Sequence, residues 1–171
     1  IIGDRAYSNN LKIVKKLGEI CIDQYSKEKI GTVIKHIPGH GAAKVDSHLL
    51  TPIVDIKKKE LLNKDFKAFK NSKAFFAMTA HIVFKSIDPK NTATHSLKVI
   101  NLIRKNIKFK NIIISDDISM KSLKYSIKEN TKKAFAAGCN LVLHCNGRYS
   151  EMKTVATNSP FVDKFIIKKT S

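Results

Sequence analysis

Four short apolar runs, separated by amphipathic stretches, restrict what this chain can fold into. Residues 32–35, 74–78, 111–115 and 140–144 are rich in Ile, Val, Leu and Phe and too short to make buried helices. Runs of this length and composition read as strands buried on both faces. Between and around them, residues 11–27, 57–69, 96–106 and 121–137 carry apolar side chains at helical spacing, and Gly138 supplies a stop signal for the last. Parallel strands need a crossover, and helices must cover the sheet faces, so this alternation predicts βα units around a parallel sheet. A complete eight-stranded barrel of this kind takes about 250 residues. The 171 residues here hold four clear strands, so the expected fold is part of one α/β domain. The residues after Arg148 read as a weak helix-like end with a basic terminus.

Composition narrows the function classes. A hydrophobic content of 43% suits an ordinary globular core. No apolar run reaches the roughly 18 residues of a membrane span, and the first residues lack an export signal, so a soluble cytoplasmic protein with no membrane partner is expected. Cys21, Cys139 and Cys145 form no CxxC pair and imply neither a disulfide framework nor a structural zinc site. Cys139 and Cys145 are expected to be buried or nearly so. The net charge of +18 is that of a polyanion binder, but 29 of the 32 basic residues are Lys, spread along the chain. Base and phosphate recognition favours the forked guanidinium group, and only Arg5, Arg104 and Arg148 offer one, so no nucleic-acid partner is expected.

Each strand runs into polar chemistry, at His36 to His40, Thr79-Ala80-His81, Ser115-Asp116-Asp117 and Cys145-Asn146. In α/β folds the site is built from loops at the C-terminal ends of the strands. The loop after His36 runs for about 20 residues, far beyond an ordinary βα connection, and long loops in compact domains are usually functional. Within it, Asp46 and His48 stand close enough for the carboxylate to fix the imidazole tautomer, which suits general acid/base work near neutral pH. A loop histidine capping a backbone carbonyl fits the local sequence equally well. Asp116 and Asp117 put two carboxylates at a strand end, where one has the chemistry of a glycosidic nucleophile and the other that of a helix cap. Asp116 is the choice for chemistry and Asp117 for support. A catalytic metal held by His36, His40, His48, His81, Asp46 and Asp116 is the competing reading, though no HExxH-type spacing accompanies them. His95 reads as a surface residue ahead of a helix, and His144 as a strand-end residue with ordinary hydrogen bonding.

Taken in order, Gly3-Asp4-Arg5, KHIPGHG at 35–41, DSH at 46–48, Met78-Thr79-Ala80-His81, IISDDISM at 113–120, Ala137-Gly138-Cys139-Asn140 and Cys145-Asn146 resemble the bacterial glycoside hydrolase family 3 β-N-acetylhexosaminidases. The resemblance implies a (β/α)8 TIM-like barrel, with residues 1–171 one partial barrel domain holding about the last four βα units and the N-terminal strands missing. It implies retaining hydrolysis of terminal β-linked N-acetylglucosamine from anhydro-muropeptides during cytoplasmic peptidoglycan recycling. Asp116 would be the nucleophile, His48 the acid/base and Asp46 its orienting partner, while Arg5, Lys35 and His36 would hydrogen-bond the sugar. Neither cofactor nor metal is implied. The implied partners are the carbohydrate substrate and a missing N-terminal half. The alternatives are an inactive truncated or split-gene remnant and a sugar-binding fragment without turnover.

Overall fold

The computed structural model describes residues 6–45 and 50–171. Helix α1 (Leu11–Lys27) leads into β1 (Val33–Ile37), followed by β2 (Ile53–Val54), α2 (Lys58–Asn63), β3 (Phe76–Thr79) and β4 (Val83–Phe84). Then come α3 (Leu97–Leu102), β5 (Ile112–Asp117), α4 (Ile127–Ala137), β6 (Leu141–Leu143), α5 (Tyr149–Asn158) and α6 (Lys164–Thr170). The main sheet has the order β1-β3-β5-β6, and every neighbouring pair is parallel. The expected barrel segment of four βα units is what forms. Sequential strands lie side by side because each intervening helix returns the chain to the same end of the sheet.

Two registers carry the site. Ile34 pairs with Ala77 and Ala77 with Ile113, so the C-terminal ends of β1, β3 and β5 lie at one edge of the sheet. The core is continuous from Ile37 and Ala77 through Leu61, Phe66 and Phe84 to Ile103, Ile107, Phe109 and Ile113, all essentially solvent-free. Arg104 locks the opposite end. Its guanidinium donates to the carbonyls of Phe109 and Asn111 and to Asn140 Oδ1, and that oxygen also accepts the Ile113 amide, joining the turn that continues α3 to β5 and to the residue ahead of β6.

Several local expectations give way to tertiary contacts. The helix expected over 57–69 breaks after Asn63 and resumes as a 3₁₀ turn at Phe66–Phe69. The break lies against the motif loop, where a methyl group on Gly39 would sit 2.9 Å from Asp65 Cβ and one on Gly41 2.9 Å from Asp65 Oδ1. Those glycines are what permit the loop to approach so closely. The helix expected from residue 121 starts at Ile127, with Ser126 and Glu129 forming a capping box. The segment ahead of it is drawn onto the sheet end, where Asn130 Nδ2 donates to the carbonyls of Ile118 and Tyr125. Gly138 ends α4 at φ 107°, as expected. The helix expected over 96–106 ends in a π turn at Ile103–Ile107. The weak helical tail is two helices, α5 and α6. Strands β2 and β4, too short for any period to register, pair parallel with one another beside the main sheet.

The expected burial of Cys145 is corrected: Cys139 is buried in the core, but Cys145, just beyond β6, is exposed. His95 is likewise more enclosed than a surface residue, closing a 3₁₀ turn at Ala93–His95, and burial lowers its pKa to about 4. His144 accords with expectation, its Nε2 lying 2.8 Å from Glu151 Oε2. Among the described residues no helix is long and apolar enough to cross a membrane.

Candidate active site

Strands β1 and β5 flank β3, and from their C-terminal ends His36 and Asp116 meet. His36 Nε2 lies 3.5 Å from Asp116 Oδ2, with side chains 23% and 15% exposed, so the pair is largely enclosed but still reached by solvent. The peptides at Lys35–His36 and Ile37–Pro38 are cis, and the pairing with β3 shifts register between Lys35 and Ile37. His40 packs its ring against His36 at 5.4 Å between centroids. Lys35 is exposed at the edge of the same strand.

The two adjacent aspartates have different surroundings. Asp117 is engaged: the Ser119 amide and hydroxyl donate to its carboxylate, as does the Cys145 amide at 3.2 Å. It thereby ties β5 to the loop beyond β6. Asp116 accepts through Oδ1 from the amide of Asp117 at 2.8 Å, while Oδ2 faces His36. Much of its hydrogen-bonding capacity is left for an incoming group. A carboxylate that is oriented but not saturated is what nucleophilic attack on a sugar carbon requires.

Beneath this pair, His81 is 1% exposed. Its Nε2 lies 3.0 Å from the Asp117 carbonyl and its Nδ1 2.7 Å from Thr94 Oγ1, which in turn lies 2.8 Å from Thr79 Oγ1. In the neutral ring Nε2–H donates to the carbonyl, and Nδ1 accepts from Thr94, which accepts from Thr79. This relay anchors the backbone on which Asp116 is mounted. The MTAH motif marked His81, but nothing local pointed to Thr94, whose role depends on the turn after β4 folding back under β3. Ser119, two residues beyond Asp117, carried a clearer signal in its spacing.

The His36 pKa is lowered to about 4, first by burial and then by His40, Lys35 and His81, with Asp116 pulling the other way. The ring is therefore neutral at pH 7, a hydrogen-bonding group and not a cation. Because the folded protein resists protonation while the unfolded chain takes up a proton near pH 6.5, stability is full above that pH and is lost as pH falls toward 4. His95 behaves the same way. We predict that the pair costs the fold about 2 kcal/mol apiece at pH 5 relative to pH 7. Urea denaturation at the two pH values checks this; equal midpoints, or an unchanged pH dependence in His95→Phe, would contradict it.

Arg5, Asp46 and His48 lie outside the described residues. Among the described residues no three His, Cys, Asp or Glu side chains assemble as a metal-binding group.

The chain is similar to known proteins over most of its length. Residues 1–166 match the family described as Glycosyl hydrolase family 3 N terminal domain. A beta-hexosaminidase of Haemophilus influenzae is 34% identical over 153 residues, covering 86% of this chain and 44% of that protein. The structure of NagZ from Neisseria gonorrhoeae superposes with a TM-score of 0.83 at 30% identity, over 95% of this chain and 48% of that one. A family 3 beta-N-acetylglucosaminidase from Paenibacillus sp. str. FPU-7 gives a TM-score of 0.87 at 27% identity, covering 92% of this chain and 31% of that one. The chain thus spans less than half the length of the first relatives it matches.

Proposed function

The chain belongs to the glycosyl hydrolase family 3 N-terminal domains, and on that premise we propose that it carries the nucleophile of a retaining β-N-acetylglucosaminidase. The observation that carries this reading is the asymmetry of the aspartate pair: Asp117 is engaged by Ser119 and the Cys145 amide, whereas the partly exposed Asp116 carboxylate has one oxygen 3.5 Å from neutral His36. The names of the beta-hexosaminidase and beta-N-acetylglucosaminidase relatives support the choice of sugar.

In this reading an Asp116 oxygen forms a bond to the anomeric carbon as the glycosidic C–O bond breaks. The leaving oxygen takes a proton from His48, which Asp46 orients. Water, deprotonated by the same histidine, then displaces Asp116 from the covalent ester and restores the original configuration. His36, Lys35 and Arg5 hold the sugar hydroxyls. The neutrality of His36 suits this role, since a neutral imidazole both donates and accepts. We extend the proposal to N-acetylglucosaminyl muropeptides as substrate, in cytoplasmic peptidoglycan recycling. Further βα units, in this polypeptide or another, would pack on α1, whose Ile13, Leu17 and Ile20 form an exposed apolar stripe at helical spacing.

A slow fluorinated N-acetylglucosaminyl donor tests the reading. Proteolysis and mass spectrometry of the treated protein are expected to find the sugar esterified to Asp116. A label on any other side chain, or none, would overturn the assignment and favour a sugar-binding fragment without turnover.

A further inference from the structure

The end of the sheet opposite the Asp116 site is strongly basic. The turns that lead into β1, β3 and β5 carry Lys29, Lys70, Lys73, Lys105, Lys108 and Lys110, all exposed, and none of them forms an ion pair among the described residues. Glu28 is the one acidic residue in these three turns. The turns are tied to one another: the Asn71 amide donates to the Ile107 carbonyl, Asn111 Nδ2 to the Ala74 carbonyl, and the Phe76 amide to the Thr32 carbonyl. Neighbouring strands lie about 5 Å apart, so the fields of these ammonium groups overlap within the screening length of about 10 Å at 0.1 M salt.

Helix α6 lies across the same end. Lys169 Nζ donates to Asn111 Oδ1 at 2.7 Å, and the Arg104 guanidinium stands 5.7 Å from the centre of the Phe165 ring. The turn ahead of α6 therefore emerges here too, and it holds Phe161 fully exposed and Val162 62% exposed, with Ile167 of α6 half-exposed. Lys164 and Lys168 flank these apolar groups, while Asp163 is committed to the Ile166 amide as the helix cap.

Attraction to the partial negative charge of helix C-termini accounts for some of the lysines, but not for a phenylalanine left in water. A protruding aromatic ring and a valine within a field of ammonium groups match an anionic phospholipid surface, whose acyl boundary accepts the apolar tip and whose headgroups attract the charge. The scarcity of Arg fits the same partner. A lipid surface acts through a smeared potential, for which Lys serves as well as the forked guanidinium that nucleic acid favours. We propose that this face seats the protein on an anionic phospholipid bilayer, with Phe161 and Val162 at the headgroup boundary and the Asp116 end turned away from the lipid. The expectation of no membrane partner came from the lack of a spanning segment, which bears on crossing a bilayer and not on resting against one. The proposal is independent of the chemistry assigned to Asp116.

The chain contains no Trp, so Phe161→Trp supplies a single fluorescent reporter at an exposed position. On vesicles of phosphatidylcholine with about one-third phosphatidylglycerol, its emission is expected to move to the blue and to be quenched by brominated acyl chains, whereas on pure phosphatidylcholine it stays as in buffer. In vesicle sedimentation, Lys105→Gln/Lys110→Gln is expected to weaken binding about 10- to 30-fold. Lys90→Gln/Lys124→Gln makes the same change in net charge at the other end of the sheet, and is expected to weaken binding less than about 3-fold. Phe161→Ser is expected to cost about 5- to 10-fold, at low and high salt alike. Unshifted emission on the anionic vesicles, or equal losses from the two lysine pairs, would overturn the proposal. Tighter binding to duplex DNA than to the vesicles at the same salt would overturn it in favour of a nucleic-acid partner.

Discussion

Replacing Asp116 by Ala is expected to remove about 10³- to 10⁵-fold of kcat toward an aryl β-N-acetylglucosaminide, with little change in substrate binding. Under the proposed mechanism the loss is large because the carboxylate would form the covalent bond, and no neighbour stands ready to replace it. Asp117 is one residue away, yet its carboxylate is held by Ser119 and the Cys145 amide, and it cannot turn toward the sugar without abandoning them. Azide added to Asp116→Ala supplies an external nucleophile in the space left behind, and recovery of turnover with formation of a glycosyl azide of inverted configuration identifies the step. An Asp116→Ala protein that retains its folded circular-dichroism spectrum and most of its activity would exclude covalent catalysis by this residue.

The second large effect falls on the support beneath the site. His81→Ala is expected to cost about 3–5 kcal/mol of folding free energy. It opens a cavity in a solvent-free position and leaves the Asp117 carbonyl and the Thr94 hydroxyl without their ring partner. Because that carbonyl belongs to the residue next to Asp116, kcat should fall as well even under conditions where the variant remains folded. Chemical denaturation followed by activity assays at low temperature separates the two effects. A stability change below about 1 kcal/mol would mean that the relay from Thr79 through Thr94 to His81 does not hold the strand end in place.

Some of this was legible in one dimension. Residues 112–114 are three isoleucines in a row, a pattern that only a strand covered on both faces accommodates, and they pair with β3 on one side and β6 on the other. Gly138 ended its helix where a left-handed cap was expected. By contrast, the long helix expected over 57–69 was interrupted at Asp65, because the glycines of the KHIPGHG loop bring foreign backbone against that point. Cys145 was misjudged because a thiol's burial depends on what covers it, and the exposed loop beyond β6 carries no periodic signal.

What the amino-acid order by itself determined was the alternation of buried strands with covering helices and the placing of polar residues just past each strand. Both are local, since side-chain period and chain direction are written in consecutive residues. Which aspartate is left open and which histidine meets it were decided only by tertiary structure. These are relations between segments far apart in the chain, created when parallel register brings the strand ends to one edge and burial removes the water that would otherwise have satisfied each group alone.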